Sequence, residues 1–117
     1  MRALFVGDVF GNPGRRVLKP ALRLLRERHA PDVVVVNGEN AAAGAGLTPE
    51  TADEIFRAGA DVITSGNHVW DRKEVVPLLE RNGRVLRPAN YPDPAPGSGV
   101  CLLEFSDRRM LEAQLHT

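Results

Sequence analysis

The chain has 117 residues, 43% of them apolar, and fifteen basic and fifteen acidic side chains that cancel to a formal charge of zero. That length supports one hydrophobic core and excludes two domains of ordinary size; the balanced charge excludes the broad positive field that extended nucleic acid would need. Cys101 is the only cysteine, so no internal disulfide forms, and the N-terminal apolar stretch is too short for a signal peptide or membrane span. A cytoplasmic protein that does not contact membranes is expected.

In chain order, residues 3–6 form a short apolar run that stops at Gly7-Asp8 and reads as a strand buried on both faces. A helix follows, with Asn12 as its cap, Pro13 in its first turn and Leu18, Leu22 and Leu25 on one face; Pro20 is expected to bend it or delay its start. Four valines, 33–36, make a second strand, which stops at Asn37-Gly38-Glu39-Asn40 and leads into the small residues 41–46. Thr48-Pro49-Glu50 opens a second helix and Gly59 closes it. Residues 62–64 are a third strand, ending at Ser65-Gly66-Asn67-His68.

A third helix is expected from Asp71, whose spacing to Glu74 resembles a capping box, to near Gly83, with Pro77 awkwardly inside it. The proline-rich stretch from Arg87 to Gly99 reads as a stiff loop, residues 100–105 as another strand, and the tail from Ser106 as helix-forming. The alternation of strands and helices implies an α/β fold, a mostly parallel sheet with helices on its faces and right-handed crossovers.

In such sheets, ligands collect beyond the carboxyl ends of the strands. Three strand ends here deliver Asp8, Glu39, Asn40, Asn67 and His68, a donor set suited to hard or borderline divalent cations. Each residue also has an ordinary reading. Asp8 suits an Asx-turn or a helix cap. The glycines 7, 11 and 14 could form a dinucleotide loop, with Glu39 on the ribose hydroxyl as in a Rossmann-type protein; against that, a carboxylate in a phosphate cradle repels phosphate unless a cation intervenes.

Glu39 precedes residues without bulk, which let backbone approach a ligand, and its two oxygens could join two cations. His68 is either a satisfied structural histidine or a proton donor beside a metal-held substrate. Asp71 reads as a helix cap, Trp70 as an apolar wall, and Arg15 and Arg16 as a solvated helix face or a phosphate contact. Asn90 and Tyr91 read as turn or pocket lining, and Cys101 as core.

Four stretches carry a resemblance: Gly7-Asp8 with Gly11-x-Pro13-Gly14-Arg15; Val36-Asn37-Gly38-Glu39-Asn40-Ala41-Ala42; Thr64-x-Gly66-Asn67-His68-x-Trp70-Asp71; and Arg87-Pro88-Ala89-Asn90-Tyr91-Pro92. From residue 1 to about 103 the chain resembles the YmdB-like metallophosphoesterases of the calcineurin-like superfamily. The resemblance implies the leading half of a calcineurin-like sandwich and two-metal hydrolysis of phosphodiesters such as 2′,3′-cyclic nucleotides. Asp8 and Asn40 would bind the first metal, Glu39 would bridge both, Asn67 would bind the second, and His68 would protonate the leaving oxygen. Two metal ions are implied, iron or manganese, with zinc or magnesium as alternatives.

Members of that family are longer, and their second half supplies three further histidines, one alone and two in a His-x-His pair. This chain has only His29, His68 and His116, and from Ser106 the resemblance fades. The expectation is a single truncated or frameshifted domain over 1–117 with a divergent tail over 106–117, its site incomplete or completed by another chain. The uncovered sheet edge predicts a homo-oligomer. A non-catalytic metal- or nucleotide-binding module is the alternative of a different class.

Overall fold

Strand β1 (Ala3–Val6), helix α1 (Gly11–His29), strand β2 (Val33–Asn37), helix α2 (Pro49–Ala58) and strand β3 (Val62–Thr64) follow one another as two successive β-α-β units. The structure, a computed structural model, describes residues 1–105 and the backbone of residues 110–114. The three strands lie parallel in the order β1-β2-β3, with Val6 beside Val36 and Val36 beside Ile63. The four valines of β2 are all buried, as a central parallel strand covered on both faces requires. On one face Val34, Val36 and Ile63 meet Leu18 and Leu22 of α1 and Ala52 and Ile55 of α2. On the other, Val33, Val35 and Val62 meet Leu86, Cys101 and Leu103. Alternation along β2 thus feeds two cores, and burying each aliphatic side chain contributes about 1.5–3 kcal/mol.

Helix α2 begins and ends as expected. Thr48 Oγ1 accepts from the Thr51 amide at 3.2 Å, the Thr48 amide donates to Thr51 Oγ1 at 2.9 Å, and Gly59 ends the helix at φ 122°, a conformation that favours glycine. Helix α1 departs from expectation twice. Its capping position is Phe10, not Asn12, and no side chain caps it; it also runs through Pro20, which is exposed, so the carbonyl left without a partner can be hydrated.

The third helix departs further. Asn67–Asp71 is a 3-10 turn, and α3 spans only Val75–Arg81, with Glu74 in the capping position and no side-chain cap. Pro77 therefore sits in the first turn, where its missing N–H has no intrahelical acceptor to lose.

Beyond β3 the chain adds a contact that periodicity did not disclose. The Ile63 amide donates to Arg84 O and the Leu86 amide to Ile63 O, both at 2.8 Å, so Val85 bridges Ile63 in parallel sense. Strand β4 (Val100–Glu104) matches expectation, with Cys101 and Leu103 turned inward and Leu102 out. The tail does not: Met110–Gln114 is strand β5, paired antiparallel to β4 from Val100 opposite Gln114 to Glu104 opposite Met110. The helix expected there is corrected, because β4 presents a row of backbone donors and acceptors that strand pairing satisfies. His116 lies outside the described residues. No described helix is long and apolar enough to cross a membrane.

Candidate functional site

Each strand of the parallel sheet ends in a turn that crosses to its neighbour. The Val9 amide donates to Asn37 O at 3.2 Å, the Gly11 amide to Asn40 O at 2.9 Å, and the Gly38 amide to Thr64 O at 2.9 Å. These cross-links bring the three polar signatures to one edge. They also count against the dinucleotide reading, since the amides of Val9, Gly11 and Gly14 are given to Asn37, Asn40 and Phe10 carbonyls rather than left for a pyrophosphate.

Asp8 and Asn40 meet directly: Asn40 Nδ2 lies 3.0 and 3.1 Å from the two carboxylate oxygens of Asp8. That donation occupies the amide nitrogen and leaves its oxygen as the atom available to a cation. Glu39 folds over Gly66, just past the end of β3. Its Oε1 accepts from Asn37 Nδ2 at 3.3 Å and its Oε2 from the His68 amide at 3.2 Å. The carboxylate can reach there because Gly66 lacks a side chain; a Cβ at Gly66 would stand 2.5 Å from Oε1 and 2.7 Å from Oε2.

His68 Nδ1 lies 2.8 Å from Asp71 Oδ2. A carboxylate can only accept, so Nδ1–H donates and Nε2 is the nitrogen left to exchange a proton. The bond to Asp71 raises the His68 pKa above the ordinary histidine value; desolvation opposes it, and the negative charges of Asp71, Glu39 and Asp8 add to it. Because the folded value is raised, the ion pair adds stability below the ordinary histidine range, and that contribution is lost as pH climbs through the shifted value. In the metal-free protein, Asp71→Asn is expected to return the His68 titration midpoint toward about 6.5. NMR of the ring protons measures it; an unchanged midpoint would show that Asp71 does not set it.

Asn67 opens the 3-10 turn and is exposed; among the described residues no hydrogen bond ties its side chain to the other four. No three described His, Cys, Asp or Glu side chains stand together as a ready metal cage. What the edge offers instead is two carboxylates, two amides and one imidazole. Those hard oxygen donors fit oxygen-seeking cations, and the space reserved for Glu39 at Gly66 fits a carboxylate held for binding rather than for packing.

The sequence reading missed one residue and misassigned two. Asp71 is the His68 partner, not a helix cap. Arg15 is not a solvated face: its side chain is 16% exposed, Nε lies 2.8 Å from Glu54, and Nη1 donates to Ala41 O. Arg72 was not singled out, yet it donates to Ala45 O at 3.0 Å and Ala42 O at 3.2 Å. The i,i+3 spacing of His68 and Asp71 was the one signal available for any of them. Trp70 packs against the core as an apolar wall and meets Tyr91 edge-on at 5.5 Å, and Cys101 is buried.

The parallel α/β sheet thus gathers paired acidic and amide side chains and an imidazole at one edge, a polar site open to a cation. The chain belongs to the YmdB-like protein family, whose model matches residues 4–115 and so runs past Ser106, where the resemblance was expected to fade. It is 40% identical over 110 residues to a 2′,3′-cyclic-nucleotide 2′-phosphodiesterase of Bacillus subtilis (strain 168), covering 94% of this chain and 42% of that protein.

A crystal structure of a hypothetical protein from Thermus thermophilus superposes with a TM-score of 0.86 at 45% identity, covering 96% of this chain and 43% of that one. A phosphatase from Mycoplasma pneumoniae superposes at 0.87 with 30% identity, over 97% of this chain and 42% of its own. The α/β fold, with its parallel sheet and flanking helices, is thus the calcineurin-like one expected from sequence. The chain spans about two-fifths of the length of these relatives.

Proposed function

We propose that this chain contributes the carboxylate–amide edge and the proton donor of a metal-dependent phosphodiesterase acting on small phosphodiesters, 2′,3′-cyclic nucleotides among them. The observation that carries the reading is the pairing of Asp8 with Asn40 beside Glu39, whose carboxylate lies under the His68 amide. The name of the Bacillus subtilis relative supports the substrate class.

Asp8, Glu39, Asn40 and Asn67 would hold the cations, iron or manganese in this reading, with further donors coming from outside the described residues. Cations bound there would neutralise the phosphoryl oxygens and acidify nearby water. His68 presents Nε2 to the departing oxygen and hands it a proton, while Asp71 keeps Nδ1 protonated and steadies the imidazolium. The bond to Asp71 raises the pKa of His68 and so favours the protonated ring. Glu39 fixes the backbone of the same turn through the His68 amide, so one carboxylate serves the cation edge and the orientation of the acid.

The chain is expected to bind Mn2+ and, once loaded, to bind 2′,3′-cyclic AMP; calorimetric titration with the metal and then the nucleotide measures both. His68→Ala should leave Mn2+ binding intact and lower turnover by about 10²–10⁴-fold. A wild-type chain that takes up no Mn2+ would overturn the reading.

A further inference from the structure

Residues 41–46 (Ala-Ala-Ala-Gly-Ala-Gly) carry no polar side chain with which to hold their own shape. Yet the loop has a defined and demanding backbone: Ala43 at φ 51°, Gly44 at 89° and Gly46 at 80°. Only two hydrogen bonds are internal to it, Ala42 N to Gly46 O at 2.9 Å and Ala45 N to Ala42 O at 3.0 Å. Ala41 is also tied to Gly38 O at 3.1 Å and buried in the core, and beyond that two arginines on other elements reach the loop carbonyls.

Arg15, on α1, donates to Ala41 O and is itself braced by Glu54 of α2 at 2.8 Å. Arg72 spans two carbonyls at once, Ala45 O through Nε and Ala42 O through Nη2. A Cβ at Gly46 would stand 2.5 Å from Arg72 Cγ, so the glycine makes room for the arginine stem.

The placement of these arginines matters more than their number of bonds. Arg15 belongs to the helix whose first residue, Gly11, already donates to Asn40 O, so α1 grips the chain at two successive carbonyls directly after Glu39. Arg72 follows Asp71, the partner of His68, so it ties the turn bearing the imidazole to the loop that directly follows Glu39 and Asn40. Lysine cannot replace it, because a single ammonium lacks the planar fork that reaches two carbonyls in fixed geometry.

We propose that Arg15 and Arg72 are positioning residues that clamp the 41–46 loop and thereby set Glu39 and Asn40 against His68 for cation binding. The clamp rests on the functional reading above for its purpose, and on the hydrogen bonds alone for its existence.

The test uses Arg15→Met, Arg72→Met and Arg72→Lys in the full chain, with Arg57→Met as control, since the Arg57–Asp53 pair lies on the exposed face of α2. Two readouts are recorded beside thermal unfolding: the NMR positions of the Asn40 side-chain amide and the His68 ring, and the Mn2+ dissociation constant. Expected are shifted Asn40 signals in Arg15→Met, shifted Asn40 and His68 signals in both Arg72 variants, and Mn2+ binding weakened about 10–100-fold. The control should match wild type, and Arg72→Lys should not rescue.

Unmoved Asn40 and His68 signals in folded variants overturn the clamp, as does a loss of affinity that only follows loss of folded protein. If wild type binds no Mn2+, the functional reading fails while the NMR arm still decides the clamp.

Discussion

Gly66→Ala is expected to expel the Glu39 carboxylate from its seat while leaving the fold standing. The glycine has a negative φ of −136°, outside the left-handed range that alanine avoids. The added methyl would meet Glu39 Oε1 at 2.5 Å and Oε2 at 2.7 Å, the far end of a flexible side chain that can rotate away. Once it rotates, the His68 amide loses its acceptor and Asn37 Nδ2 loses its partner.

Mn2+ affinity should fall about 10–100-fold, as when a supporting contact of a metal site is removed. The His68 amide resonance should move even without metal. Combining Gly66→Ala with Glu39→Ala should cost little more than Glu39→Ala alone, since both remove one carboxylate from one place. Wild-type affinity and an unshifted His68 amide in Gly66→Ala would show that Glu39 is not held over Gly66 in solution.

Leu47→Ala attacks the same edge from below and should act through stability. Leu47 is fully buried, closes the 41–46 loop, and approaches Gly38 together with Ile55 and Ile63. Truncation leaves a cavity beneath Gly38 and Glu39, and such changes cost about 2–5 kcal/mol. For a chain of this size the melting temperature should fall by roughly 10 °C or more. Calorimetry or circular dichroism measures it. A loss under about 1 kcal/mol would mean that the loop collapses onto the vacancy and that the packing under Glu39 is softer than the structure indicates.

Although β1 lies at the sheet edge with Phe5 exposed rather than buried on both faces as expected, all three strands were legible from the residues alone, because apolar runs stopped by polar residues suit a parallel sheet. So was α2, whose cap and glycine stop act within a few residues of each other, and so was the placing of Asp8, Glu39, Asn40 and His68 at strand ends. Contacts between distant parts of the chain settled the rest. Asp71 left the cap of a helix for His68 because the 3-10 turn brought that ring within 2.8 Å. Arg15 was drawn from solvent by the Ala41 carbonyl, and the tail became β5 because β4 offered backbone partners. Propensity and capping act over a handful of neighbours, whereas these outcomes depended on which unsatisfied donor or acceptor the folded chain brought near.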